Sequence, residues 1–154
     1  MNKNYLFNPF NIKKATNNEL RDLYNKVFDD LLEEPNTMFQ YAHNIEVYSN
    51  LNYIVGECIA RLTKDLIELK TEIEIKKATK TVEERNAWND DDGKKPAMSY
   101  FEALGTRFCK DLIEKQAQKE SDLRRFKNAY QSVEEKLNAL KKRMESIKYE
   151  EFGD

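Results

Sequence analysis

The chain has 154 residues, 35% charged and 40% hydrophobic, with a formal net charge of −2. That length suffices for one domain with a core, and the mix is that of long surface-exposed helices rather than of a disordered chain. The near-neutral balance excludes a uniformly basic nucleic-acid binder but leaves room for a local patch, and no window approaches the roughly 18 consecutive apolar residues of a membrane span.

The opening stretch, MNKNYLFNPFNIKK, lacks the apolar core of a signal peptide. Asn8-Pro9 interrupts its apolar residues, so it reads as an extended arm that packs on something, with Tyr5, Phe7 and Phe10 as candidate contacts to another copy of the chain. Thr16-Asn17-Asn18-Glu19 fits a capping box, in which each side chain satisfies an unpaired helix N–H. Leu20, Leu23, Tyr24, Val27, Phe28, Leu31 and Leu32 form one apolar face of the helix that follows, and Pro35 ends it. Residues 1–35 are thus an arm and a first helix, and residues 36–154 a long helical hairpin, all within one domain.

A second helix begins at Asn36 or Thr37 and runs to about Thr79 on the seam Val55, Ile59, Leu62, Leu66, Leu69 and Ile73. Val47, Leu51, Ile54 and Cys58 widen the apolar face in its first half, and the first helix is the natural cover for that part. Gly56 costs about 1 kcal/mol relative to Ala in a helix interior, which marks it as a point where a neighbour comes close. Thr81-Val82-Glu83-Glu84 is another capping-box match, so a short helix through Trp88 is expected after a break near Ala78–Lys80. Asn89–Pro96, NDDDGKKP, is the loop.

Ser99-Tyr100-Phe101-Glu102 then caps a third helix extending to about Tyr149. Its stripe Phe101, Leu104, Phe108 and Leu112 is expected to fold back on the Trp88 segment or to receive a neighbouring subunit. Leu123, Phe126, Tyr130, Val133, Leu137, Leu140, Met144 and Ile147 form a coiled-coil seam, and Gln116 and Lys119 interrupt the apolar pattern before it. Two long helices joined by one loop run antiparallel, and the expected pairing sets Leu123–Ile147 against Val55–Ile73. The class is all-α, and the hairpin needs contacts from the first helix and from further copies of the chain.

Little in this pattern suits catalysis. His43 has no metal-ligand spacing around it, and Asp90-Asp91-Asp92 aligned on Gly93 places Trp88 and Ser99 where a calcium loop needs carboxylates. Phosphate-cradling glycine loops and nucleophile elbows do not occur, so neither an enzyme, a metal site nor a cofactor is expected. Cys58 and Cys109 sit in apolar helical contexts without CxxC spacing and read as buried thiols of a cytoplasmic protein.

The distinctive charge feature is local: residues 94–127 carry nine Lys+Arg against five Asp+Glu. Around the loop Lys76, Lys77, Lys80, Arg85, Trp88, Lys94, Lys95, Tyr100, Arg107 and Lys110 mix cations with aromatic rings. Flexible cations displace counterions from phosphates and ring faces stack on unpaired bases, which binds single strands without sequence preference. The same charges also serve as ordinary helix pairs, such as Asp111 with Lys115 and Glu120 with Arg124.

The layout resembles that of phage recombination mediators of the UvsY type. A long helix bearing ECIARLTKDLIELKTEIEIKKATK breaks at a polar stretch and is followed by another ending in LKKRMESI, a likeness extending over about Asn44–Ile147. The resemblance implies a non-enzymatic homo-oligomer in the host cytoplasm that binds single-stranded DNA and helps a recombinase or annealing protein replace a single-strand-binding protein. The competing reading is a structural or adaptor coiled coil, such as an assembly chaperone or host-factor inhibitor, whose charges keep its helices soluble. A prefoldin-like chaperone is disfavoured because its connecting strands have no counterpart.

Overall fold

The computed structural model describes residues 9–89 and 93–152. Tyr5 and Phe7 lie outside the described residues, as do the Phe10 side chain and Asp90–Asp92. Five helices follow in order, α1 Pro9–Ile12, α2 Asn17–Phe28, α3 Met38–Ala87, α4 Met98–Phe108 and α5 Lys110–Phe152, with no strand among the described residues. The fold is an all-α antiparallel hairpin carrying an N-terminal helix. The chain divides into two compact units, 1–60 with 125–154 and 61–124. Among the described residues no helix is long and apolar enough to cross a membrane.

In the first unit the described end of the arm is helical: Pro9 opens a one-turn helix, where its fixed φ and missing N–H are tolerated, and Ile12 is buried. The capping box forms as its residues dictate. The Thr16 N–H donates to Glu19 Oε2 at 2.6 Å and the Glu19 N–H to Thr16 Oγ1 at 3.2 Å. The bond from the Thr16 N–H, helped by the Thr16 hydroxyl, favours the charged carboxylate, so the Glu19 carboxyl is held below its ordinary value.

α2 stops at Phe28 rather than running to Pro35. Leu31 still packs on the core, but Asn44 of α3 intercepts the backbone beyond, with its Oδ1 accepting from the Leu32 N–H at 2.9 Å and its Nδ2 donating to the Leu32 carbonyl at 2.8 Å. A side-chain amide that pairs both backbone groups of one residue competes directly with continuing the helix. His43 has a structural role beside it, its Nε2 lying 2.8 Å from the Asp30 carbonyl. Thr37 then caps α3, as Gln40 N–H donates to its hydroxyl at 3.3 Å while Gln40 Oε1 accepts from Thr37 N–H at 3.2 Å.

The core of this unit is the expected one: Ile12, Leu20 and Val27 meet Val47, Leu51 and Ile54, with Leu23, Tyr24 and Cys58 packed against them. The register of the hairpin differs from the expected one. Tyr130 Cε2 would lie 3.7 Å from a Cβ placed on Gly56, and Tyr130 and Leu137 share a groove with Ser49, Asn52 and Tyr53. The Leu123–Ile147 seam therefore meets the earlier part of α3. Heptads repeat identically along a helix, so they fix which face is apolar and leave the axial offset to other contacts.

In the second unit Leu69 and Ile73 pack on Cys109 and Leu112. Where Gln116 and Lys119 interrupt the apolar pattern, ion pairs connect the helices instead: Lys119 Nζ lies 2.6 Å from Asp65 and Lys70 Nζ 2.9 Å from Glu120. Glu120 thus engages α3 as well as its own helix, and bonds from Gln116 and Lys70 hold its carboxyl below its ordinary value.

The expected break near Ala78–Lys80 is absent. The buried Thr81 hydroxyl donates to the Lys77 carbonyl at 2.8 Å, one turn back, and no cap forms. Ser99 is not a cap either, because Ala97 precedes the first turn of α4 without any side-chain bond. The third helix divides at Cys109, whose N–H is shared between the Gly105 and Thr106 carbonyls at 3.3 and 3.1 Å.

Candidate nucleic-acid interface

The end of the second unit is built on a contact that only glycine allows. Gly105 is buried against α3, and a Cβ there would come within 2.6 Å of both the Lys77 carbonyl and Thr81 Oγ1. That approach seats Phe101, itself 1% exposed, beneath Trp88. The Trp88 and Phe101 rings meet edge to face at 6.2 Å, Trp88 and Tyr100 at 6.5 Å, and Tyr100 and Phe101 at 5.5 Å. Gly93, with φ +98, takes the left-handed turn conformation, and its carbonyl accepts from Trp88 Nε1 at 3.5 Å. The three rings and the start of the loop after residue 92 are therefore one packed group. Trp88 has a structural position within it, whereas Tyr100 remains 48% exposed.

The cations sort into two sets. Lys76 lies 2.6 Å from Glu72, Lys80 2.8 Å from Glu84, and Lys110 3.7 Å from Glu114. The bond from Lys76 holds the Glu72 carboxyl below its ordinary value, and the bond to Glu84 holds the Lys80 ammonium above its own. Lys80 also stands over the exposed Phe108 ring, 5.5 Å from its centroid. Lys77 is half-buried, with its backbone carbonyl against Gly105.

Arg85, Lys94, Lys95 and Arg107 are exposed and form no ion pair among the described residues. At about 100° per residue, Lys76, Lys77 and Lys80 share an arc of about 100° on α3, and Arg85 is turned about 140° from Lys80. Tyr100 and Arg107, seven residues apart on α4, share a face, and Lys94 and Lys95 follow Gly93 directly. The ten residues named from the sequence thus lie at one end of this unit without forming a single surface.

An open groove of about 430 Å³ in the first unit is lined by Ser49, Asn52, Tyr53, Gly56, Glu57, Tyr130 and Leu137. Asn52 Oδ1 is buried there without a partner among the described residues. No group of three or more His, Cys, Asp or Glu is placed to hold a metal among the described residues.

Sequence reasoning passed over Gly105, Asn44 and the Asp65–Lys119 and Lys70–Glu120 pairs. The available signal for Gly105 was a glycine within the Phe101, Leu104 and Phe108 stripe. Compared with known protein families, characterised proteins and solved structures, the chain matches none.

Proposed function

We propose that the chain is a non-enzymatic recombination mediator that binds single-stranded DNA at the loop-proximal end of the second unit. In the setting that the UvsY-type resemblance implies, it assists a recombinase or annealing protein in replacing a single-strand-binding protein. The supporting observation is the setting of Tyr100: a half-exposed ring held on Trp88 and Phe101, with Arg107 on the same face of α4, Lys94 and Lys95 directly after the Gly93 that Trp88 bonds, and all three cations without an ion pair among the described residues. A ring fixed from behind loses little entropy on stacking with a base, and unpaired cations need not leave a carboxylate to meet phosphate.

The test is fluorescence anisotropy with a labelled oligothymidine across a salt series. Binding is expected at low salt, and Lys94→Glu with Lys95→Glu should weaken it and flatten the salt slope, more than Lys76→Glu with Lys80→Glu does. Tyr100→Ala should cost about 1–3 kcal/mol of affinity. One observation favours the adaptor reading: Lys76, Lys80 and Lys110 sit against carboxylates of their own helices, the arrangement of a solvated helix surface. Absence of single-strand binding at low salt overturns the mediator reading and leaves the adaptor in its place.

A further inference from the structure

α3 carries an apolar face turned away from the hairpin. Ile75 is 61% and Val82 52% exposed, and Thr71 and Ala78 are exposed as well. Their spacings of four, three and four place these residues within about 60° of one another, on the opposite side of α3 from the buried Leu66, Leu69 and Ile73. The charged residues that continue the same heptad positions are Glu68 ahead of the face and Arg85 after it, both exposed.

We propose that this face is a self-association surface on which a second copy of the chain packs its own α3 antiparallel, across a two-fold axis between Lys76 and Lys77. The register follows from the residues and does not depend on the nucleic-acid reading. In that arrangement Ile75 of one copy meets Ala78 of the other, Thr71 meets Val82, and Glu68 meets Arg85, each contact occurring twice. Charge complementarity selects this alignment: a parallel pairing in register would bring Glu68 to Glu68 and Arg85 to Arg85. Arg85 has no ion-pair partner among the described residues, and Glu68 has one loose exposed contact, Lys64 at 3.8 Å. Neither gives up a strong interaction to pair across the axis. The seam spans 18 residues, roughly 27 Å of helix, so association is expected to depend on concentration.

Sedimentation equilibrium on the full chain tests the surface. The apparent mass should rise from 18.3 kDa toward twice that value as concentration increases from about 10 to about 500 micromolar. Glu68→Arg or Arg85→Glu alone should raise the dissociation constant by about tenfold or more, and the two together should restore it. Both positions are exposed, so folding is retained and circular dichroism checks that.

Orientation is read by oxidative cross-linking in a Cys58→Ser background. A mixture of Thr71→Cys and Val82→Cys chains should cross-link. Thr71→Cys alone should not, because its two copies would stand about 16 Å apart along the axis, beyond disulfide reach. A monomer throughout the concentration range, no rescue by the double reversal, or efficient cross-linking of Thr71→Cys alone each overturns the proposal.

Discussion

Two glycines in helices have opposite surroundings. A methyl on Gly105 would strike the Lys77 carbonyl and the Thr81 hydroxyl at 2.6 Å, one of them backbone that cannot turn aside. Gly105→Ala is therefore expected to destabilise the chain by about 1–3 kcal/mol, the range for overpacking. At Gly56 the nearest atom is the Tyr130 ring at 3.7 Å, an ordinary contact. Gly56→Ala should recover up to about 1 kcal/mol of helix propensity. Urea unfolding of the two variants decides both claims, and equal signs would contradict the packing described. The sequence singled out Gly56 and passed over Gly105, since a helical glycine shows its intrinsic cost but not what faces it. Asn52 poses a related question. Its buried Oδ1 lacks a partner among the described residues, so Asn52→Leu is expected to stabilise by about 1–2 kcal/mol through loss of an unsatisfied acceptor.

Among the elements, those whose ends are set by short-range chemistry were the legible ones. Thr16 and Glu19 cap α2 as their spacing demands, and Thr16→Ala should cost about 1 kcal/mol. The Thr81 match failed because a threonine three residues before a glutamate is also compatible with a helix interior, where its hydroxyl bonds one turn back. The arm shows the same limit. Pro9 permits a helix start, and Ile12 is 1% exposed in the core. Removing residues 1–14 should consequently lower thermal stability, whereas removing only 1–8 leaves Ile12 in place and isolates whatever Tyr5 and Phe7 do. Acid sensitivity belongs at this scale too. Glu19, Glu72 and Glu120 have folded values below the ordinary 4.5, so their stabilisation is present above that value and is lost as pH falls through the folded values. A variant with all three changed to Gln should show a smaller drop in unfolding midpoint between pH 7 and pH 3 than the unaltered chain. An equal drop would assign acid sensitivity to other groups.

For the molecule as a whole, periodicity made the all-α hairpin and the α2–α3 core readable, because burying an apolar stripe requires a partner of matching width. The pairing offset and the division of the candidate site were not readable. Repeating heptads fit several offsets, and a list of lysines does not say which ones already hold carboxylates. The same contrast predicts how the fold opens. The first unit buries Ile12, Leu20, Val27, Val47, Leu51 and Ile54 in one cluster, whereas the second has Leu69, Ile73 and Cys109. Along α5 between Leu112 and Leu123, the link to α3 is made by Lys119 and Glu120 through pairs with Asp65 and Lys70 that are partly exposed and therefore weak. Helical hydrogen bonds continue through both regions, so any difference in their opening reports tertiary burial rather than secondary structure. Native-state hydrogen exchange should find the greatest protection at residues 47–54 and markedly less at residues 114–122. Added salt should lower protection at 114–122, where charges hold the helices, and leave 47–54 unchanged. Equal protection of the two segments would mean that the ion pairs secure the middle of α5 as firmly as the apolar cluster secures the start of α3, and a salt effect confined to 47–54 would mean that charges do not hold residues 114–122.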